Sequence, residues 1–277
     1  MDVYAMVTER ILEKLSQGYI PWKKTWFSCQ QGAFNRISRR PYSLLNQLLL
    51  QHAGEYATYK QWEQLGGQVK KGEKAEIVVF WKMHEVEQKN ESGEIEKKSI
   101  PLLRYYYVFH ISQVENVVPL KKDAGHATEP LEAAERVFRG YTERERIKVY
   151  RGNEAFYRRS DDSITLPNIR QFKKAEEYYA VAFHESSHST LKECRCNREA
   201  DTADAYFGNE SYSKEELVAE ISSAFILHSL GIETEGTFSN SCAYVQNWIS
   251  ALRKDKKLIV AASGKAEKAA RYILNET

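Results

Sequence analysis

Apolar and charged residues alternate at helical spacing over residues 3–15, and Gly18 stops the run. Pro21-Trp22 begins an irregular, aromatic stretch. Residues 42–53 repeat the helical pattern, with Leu44, Leu45, Leu48 and Leu49 facing inward. A short helix opens at 58–62 and closes at Gly66-Gly67. The pattern then becomes β-rich over 75–83 and again over 102–111, so two strands are expected. The polar stretch 88–98, with Gly93 at its centre, predicts a flexible hairpin loop between them. Beyond residue 130 the chain predicts a helix over 131–140 and short strands at 148–150, 155–158 and 163–166. Helices follow over 176–191, 214–230 (closed by Gly231), 242–252 and 263–274, with a polar, irregular segment at 197–209. Residues 119–130 contain Lys-Lys-Asp-Ala-Gly-His and little apolar character, which predicts a linker. The expected fold class is therefore α+β in two domains, 1–118 and 131–277, joined by 119–130.

Composition changes this picture little. The 277 residues are 42% hydrophobic and 28% charged, suited to a globular chain that can bury real cores. No apolar run approaches the ~20 residues of a membrane span, and residues 1–17 read as an amphipathic helix rather than a signal peptide. The cytoplasm is the expected location. The four cysteines, Cys29, Cys194, Cys196 and Cys242, do not suggest a disulfide framework. Charge divides the chain. Residues 1–122 carry 18 Lys+Arg against 13 Asp+Glu and residues 123–277 carry 22 against 25, which suggests modules with different partners.

The chemistry concentrates at His184-Glu185-Ser186-Ser187-His188, inside the run at 176–191 that lacks Gly and Pro. Residues four apart share a helix face, so His184 and His188 can reach one Zn²⁺ while Glu185 serves as general base. A catalytic zinc needs a third protein ligand. Glu216 lies 28 residues after His188, far enough for a helical return. Glu220, on the same face, could bond the outer N–H of a ligating histidine. A structural alternative stands beside this one: Ser213-x-x-Glu216 is also a capping box, in which case Glu220 becomes the next candidate ligand.

These segments resemble a known family. Residues 162–167, Phe183 to Thr190, Tyr212 to Ile221 and the Asn247-Trp248-Ile249 region resemble the zincin-type metallopeptidase domain of ArdC-type antirestriction proteins. Gly18-x-x-Pro21-Trp22, Pro41-Tyr42-Ser43-x-x-Asn46, Gly66 to Lys74 and Val79-Phe80-Trp81 are similar to that family's N-terminal DNA-binding domain. The resemblance implies an N-terminal module for single-stranded DNA and a zincin-like domain behind it, carried by conjugative plasmids and related mobile elements. It places the glutamate ligand at Glu216. Ser186-Ser187 and Cys194-Arg195-Cys196 depart from the family pattern.

Single-strand binders combine cations that follow phosphates with aromatic faces that stack bases. Trp22, Lys23, Lys24 and Trp26 interleave the two types. Arg36, Arg39 and Arg40 form a second cluster, and Lys70-Lys71 lie in a basic turn. Trp62 and Trp81 sit in apolar elements and are expected in the core. The function expected is antirestriction: non-specific binding of single-stranded DNA, with a zinc site in which Glu185 deprotonates the water that attacks a peptide carbonyl of an unidentified protein substrate. Tyr212 could stabilise the oxyanion, residues 162–167 could form an edge strand that pairs with a peptide, and a fragment ending near Lys122 should fold alone. The rival readings are a non-catalytic DNA shield with structural zinc and a regulatory peptidase that cleaves a repressor.

Overall fold

The computed structural model describes residues 2–23, 32–89, 95–120, 130–199, 210–232 and 241–276. Helix α1, Val3–Ser16, starts where the Asp2 side chain accepts a hydrogen bond from the Tyr4 N–H at 3.0 Å, satisfying a donor that the first turn leaves open. Val7, Ile11 and Leu15, four apart, form a single buried stripe.

The second apolar run yields a shorter helix than its periodicity predicts, α2 over Leu44–Leu49. Its two amide side chains explain why. Asn46 bonds both backbone groups of Val79, each at 2.8 Å. Gln47 bonds both backbone groups of Ala33, at 2.9 and 2.8 Å. The helix is thereby docked onto strand backbone on two sides. Leu50 is already extended, and the Glu76 carboxylate holds the Gln51 N–H at 2.6 Å. Helix α3, Tyr59–Gln64, begins with a reciprocal Thr58–Gln61 cap. Gly66, at φ +78°, turns the chain, and Gly67 packs so closely that a Cβ would meet a Val117 methyl at 2.5 Å. Trp62 is fully buried, as expected, with its indole N–H donating to the Phe109 carbonyl at 2.9 Å.

The first sheet joins β1 (Ala33–Asn35), β2 (Gly54–Ala57), β5 (Ile95–His110) and β4 (Glu76–Lys89) in that spatial order. β1 and β2 are parallel and the other pairs antiparallel. A two-stranded ladder pairs β3 (Gln68–Val69) with β6 (Val114–Glu115). β4 and β5 pair continuously from Glu76↔Val108 to Lys89↔Ile95, so strand extends well into the expected loop 88–98. Polar residues are tolerated there because a two-stranded ribbon needs no buried face to complete its ladder.

In the second half, α4 (Pro130–Arg144) precedes a three-stranded sheet of β7 (Lys148–Arg151), β8 (Phe156–Arg158) and β9 (Ser163–Leu166). β9 is the central strand, parallel to β7 and antiparallel to β8. Its backbone is therefore occupied on both sides, which corrects the expectation that residues 162–167 offer a free edge. Helices α5 (Ala175–Ser189), α6 (Glu210–Ser229), α7 (Ser241–Lys254) and α8 (Leu258–Leu274) complete the fold. Gly231, at φ +73°, closes α6. Most of the expected linker, residues 121–129, lies outside the described residues.

One apolar core runs through both halves. It contains Val7, Ile11 and Leu15 of α1, Leu44 and Leu48 of α2, Phe183 of α5, Leu217 of α6, Trp248 of α7 and Ile259 of α8. Trp22 lies edge-on against Trp248, with ring centroids 5.3 Å apart. The Thr8 hydroxyl donates to the Lys256 carbonyl at 2.8 Å, and Glu267 of α8 accepts from the Leu44 N–H at 3.0 Å at the start of α2. This packing argues against an N-terminal fragment that folds alone, because α1 and α2 bury apolar residues in the same core as α7 and α8. The full chain is expected to unfold in one denaturant transition that both halves share. Trp248→Ala should lower its stability by about 3–5 kcal/mol, and residues 1–120 alone should show no sharp transition. Two separated transitions, followed by fluorescence and circular dichroism, would contradict the shared core.

Candidate metal centre

Glu176 and Glu177 sit in the first turn of α5, where negative charge stabilises a helix. The Ser186 and Ser187 hydroxyls, both fully buried, donate to the Ala182 and Phe183 carbonyls at 2.7 Å. Back-bonding to the preceding turn is how the motif helix accommodates a polar pair where apolar residues would serve. His184 and His188 then project from one face toward α6. Their Nε2 atoms are 3.1 Å apart. The Glu216 carboxylate faces both rings, with Oε2 3.4 Å from His184 Nε2 and Oε1 3.3 Å from His188 Nε2. One ligand atom from each of the three residues lies within 4.8 Å of the others, close enough to share one small divalent ion, and this is the group of potential ligands found among the described residues. α6 begins at Glu210, so Ser213 lies inside the helix rather than at its cap, and the Glu216 carboxylate faces the imidazoles. Glu185 is buried beside them. The Tyr212 side chain lies outside the described residues.

The outer ring nitrogens meet other carboxylates. His188 Nδ1 lies 3.4 Å from Glu215 Oε1, which also accepts from Arg198 at 2.9 Å. Arg198 bonds the Thr190 hydroxyl at 2.8 Å and the Ser187 carbonyl at 3.3 Å. Glu220, expected to support a histidine, lies 4.0 Å from His184 Nδ1, beyond hydrogen-bond length. The sequence reading missed Glu215 and Arg198. Glu215 precedes Glu216 on the same helix, and a turn of about 100° per residue lets both face α5. Burial lowers both imidazole pKa values, but hydrogen bonds with Glu216, and with Glu215 for His188, raise them further. Burial raises the Glu216 carboxyl, yet the two histidines hold it far below the ordinary carboxylate range.

The expected DNA contacts fare unevenly. Trp22 is buried in the core and offers no face to a base, which corrects its assignment. The Lys23 side chain, Lys24 and Trp26 lie outside the described residues. Arg36 is also corrected: it is ion-paired with buried Glu55 and donates to the Val118 carbonyl at 3.3 Å, so its charge is internally satisfied. Arg39 and Arg40 are exposed on a turn whose N–H groups at Ile37 and Ser38 bond the Asn35 side chain at 3.0 and 2.9 Å. Lys70 and Lys71 are exposed, Lys70 donating to the Ser112 carbonyl at 2.9 Å. Trp81, expected in the core, is 52% exposed. No helix among the described residues is long and apolar enough to cross a membrane.

Residues 1–109 match the family described as the N-terminal domain of anti-restriction factor ArdC, and residues 132–265 match zincin-like metallopeptidases. Fold and site thus define a zincin-like domain behind an ArdC-type N-terminal domain. The metal-free crystal structure of antirestriction ArdC protein from R388 plasmid superposes with a TM-score of 0.77 at 32% identity, covering 100% of both chains. Its Mn(II)-bound structure gives 0.76 at 31% identity, over 99% of this chain and 98% of that one. This chain belongs to the ArdC antirestriction family. It is also 31% identical to protein y4eC of Sinorhizobium fredii, over 98% of this chain and 91% of that protein. A DNA primase TraC of Escherichia coli is 34% identical over 98% of this chain, which spans 20% of TraC's length.

The departure at Cys194-Arg195-Cys196 has a structural role. The Arg195 side chain, 1% exposed, donates to the Ser189 carbonyl at 2.7 Å, to both Asp162 oxygens at 3.0 and 2.7 Å, and to Glu145 at 3.1 Å. It ties the end of α5 to the entry of β9 and the end of α4. Cys194 is exposed and Cys196 buried. Burial raises the Asp162 carboxyl, but hydrogen bonds from Arg195, Tyr157 and Lys192 outweigh it and leave its pKa below the ordinary 3.8. A depressed folded pKa contributes stability above the unfolded value that is lost as pH falls through the folded one. Asp162→Asn is therefore expected to lower the Tm of the metal-free chain by about 5 °C above about pH 5. The difference should shrink as pH falls below the ordinary 3.8 and through the lowered folded-state value, and a pH-independent difference in thermal melts would count against the ion pair.

Proposed function

We propose that this chain is an antirestriction protein that binds single-stranded DNA without sequence preference through residues 1–118. Residues 119–130 link that module to a zinc-dependent, metallopeptidase-like domain at 131–277, and the protein acts in the cytoplasm of a cell that carries a mobile element. The observation that carries the metal half is the His184–His188–Glu216 cluster, in which the two Nε2 atoms are 3.1 Å apart and each lies 3.3 to 3.4 Å from one oxygen of the carboxylate. Two imidazoles and one carboxylate form the donor set of catalytic zinc sites, which keep one position open. A structural zinc would call for a fourth protein ligand, and the group among the described residues offers three. Imidazole suits zinc better than manganese, so zinc is our assignment, although the R388 ArdC was crystallised with Mn(II).

When bound, the ion supplies Lewis-acid activation of water and of a substrate carbonyl. The protein residues do the rest. His184, His188 and Glu216 hold the ion. Glu215, itself held by Arg198, fixes the His188 ring through Nδ1 and keeps Nε2 free to ligate. Glu185 accepts a proton from the attacking water on its carboxylate and returns it to the departing amine. Tyr212 is a candidate to stabilise the oxyanion. Arg39, Arg40, Lys70 and Lys71 are the surface cations available to phosphates.

His184→Ala and His188→Ala are expected to lose bound zinc, and Glu216→Gln to weaken it strongly. Glu185→Gln should retain full zinc while lowering peptide cleavage by about 10²–10⁴-fold. Glu215→Gln should weaken zinc by about 10–100-fold. Elemental analysis and competition with a chromophoric chelator measure the metal, and a peptide-library digest measures cleavage. Stoichiometric zinc in His184→Ala would overturn the site. Equal cleavage by Glu185→Gln and the parent chain would overturn the base.

A further inference from the structure

The exposed face of the β4–β5 ribbon carries an aromatic and cationic surface that the sequence reading did not use. The register Val78↔Tyr106, Phe80↔Arg104, Lys82↔Leu102 places these side chains on one face of the ribbon, with His84 beyond. On the opposite face, Ile77, Val79 and Leu103 are buried in the main core. The surface begins where Val78 and Val108 finish packing against Ala33, Leu50 and Tyr56. From there outward, Phe80 and Tyr106 stack in parallel, with centroids 4.7 Å apart and planes 3° from coplanar. Tyr106 is 55% exposed, and Leu102, Lys82, His84 and Arg104 are exposed around it. No acidic side chain stands on this face between Phe80 and His84 or between Leu102 and Tyr106.

Exposed apolar surface on a monomer marks an interaction site when it forms a patch. The chemistry here is specific. A stacked pair of rings flanked by a guanidinium and an ammonium, with no carboxylate between them among the described residues of this face, suits bases that stack and phosphates that need neutralising. A protein partner bound by apolar contact alone would leave Lys82 and Arg104 without a counter-charge. Trp22 and Arg36, two of the contacts expected from sequence, are occupied inside the fold. We propose that the Phe80–Tyr106 face of the β4–β5 ribbon is the base-stacking platform for single-stranded DNA, with Lys82 and Arg104 on its phosphates. The assignment rests on the reading that this chain binds single-stranded DNA.

The test uses the full chain and a fluorescein-labelled oligothymidylate, read by anisotropy at two salt concentrations. Tyr106→Ala is expected to weaken binding about 5- to 100-fold, by a similar factor at both salts, because stacking releases no counterions. Tyr106→Phe should restore it. Lys82→Ala with Arg104→Ala should weaken binding mainly at low salt and reduce the salt slope by up to about 2. Thermal melting and zinc content monitor folding, and Lys82→Glu, an exposed change remote from any core contact, provides a second variant that should weaken binding. If the parent chain binds no oligonucleotide, the single-strand reading falls and the platform with it. If the parent binds while Tyr106→Ala, Lys82→Glu and the double variant bind equally well, the platform is overturned and the single-strand reading stands. A change in self-association on sedimentation, with DNA affinity unaltered, would also overturn it in favour of a second copy of the chain.

Discussion

Two imidazole nitrogens and a carboxylate are held within 3.4 Å of one another. Burial penalises any charge placed there, and the hydrogen bonds of the histidines with Glu216 offset that penalty. The packing of the C-terminal half supplies the rest of the force that holds them in place. α5 and α6 meet through Ala180, Phe183, Leu217 and Ile221, all buried in one core with α8. Two buried guanidiniums then fix the register of α5 at its C-terminal end. Arg195 secures it to β9 and α4, and Arg198 secures it to α6 through Glu215. The ligand side chains are thus held in register by contacts outside the pocket.

The legible part of the site was local. His184, Glu185 and His188 are visible in sequence because a helix converts a four-residue spacing into one face. Glu216 was legible only as one of two readings, since a glutamate three residues after a serine also looks like a cap. The helix starts three residues before Ser213, and that placement is a tertiary outcome. Glu215 and Arg198 act through contacts 27 and 10 residues from His188, distances over which spacing carries no information. The same limit applies to the fold. Strand 163–166 was legible from its composition, but its central position depends on β7 and β8. α2 was predicted too long because Asn46 and Gln47 look like ordinary polar positions until the strands they dock are known.

Aromatic residues were the least legible of all. Trp22 follows Pro21 and precedes two lysines, a context that suits a surface, yet it packs on Trp248. Trp81 follows four apolar residues, a context that suits a core, yet it lies on the protruding part of the ribbon. Both outcomes follow from which neighbours reach the ring. Ile77 and Val79 are buried in the main core, whereas Trp81, two residues further along β4, meets the Tyr4 ring of α1 at 6.4 Å between centroids and is otherwise open to solvent.

The core that passes from α1 and α2 into α7 and α8 makes the two halves a single heritable unit. Each supplies walls for the other, so recombination that joins one half to an unrelated neighbour would expose Trp22 or Trp248 and leave the Leu44 N–H without Glu267. The Thr8 hydroxyl of α1 is accordingly held by a backbone carbonyl 248 residues downstream, at Lys256, whatever task either half performs.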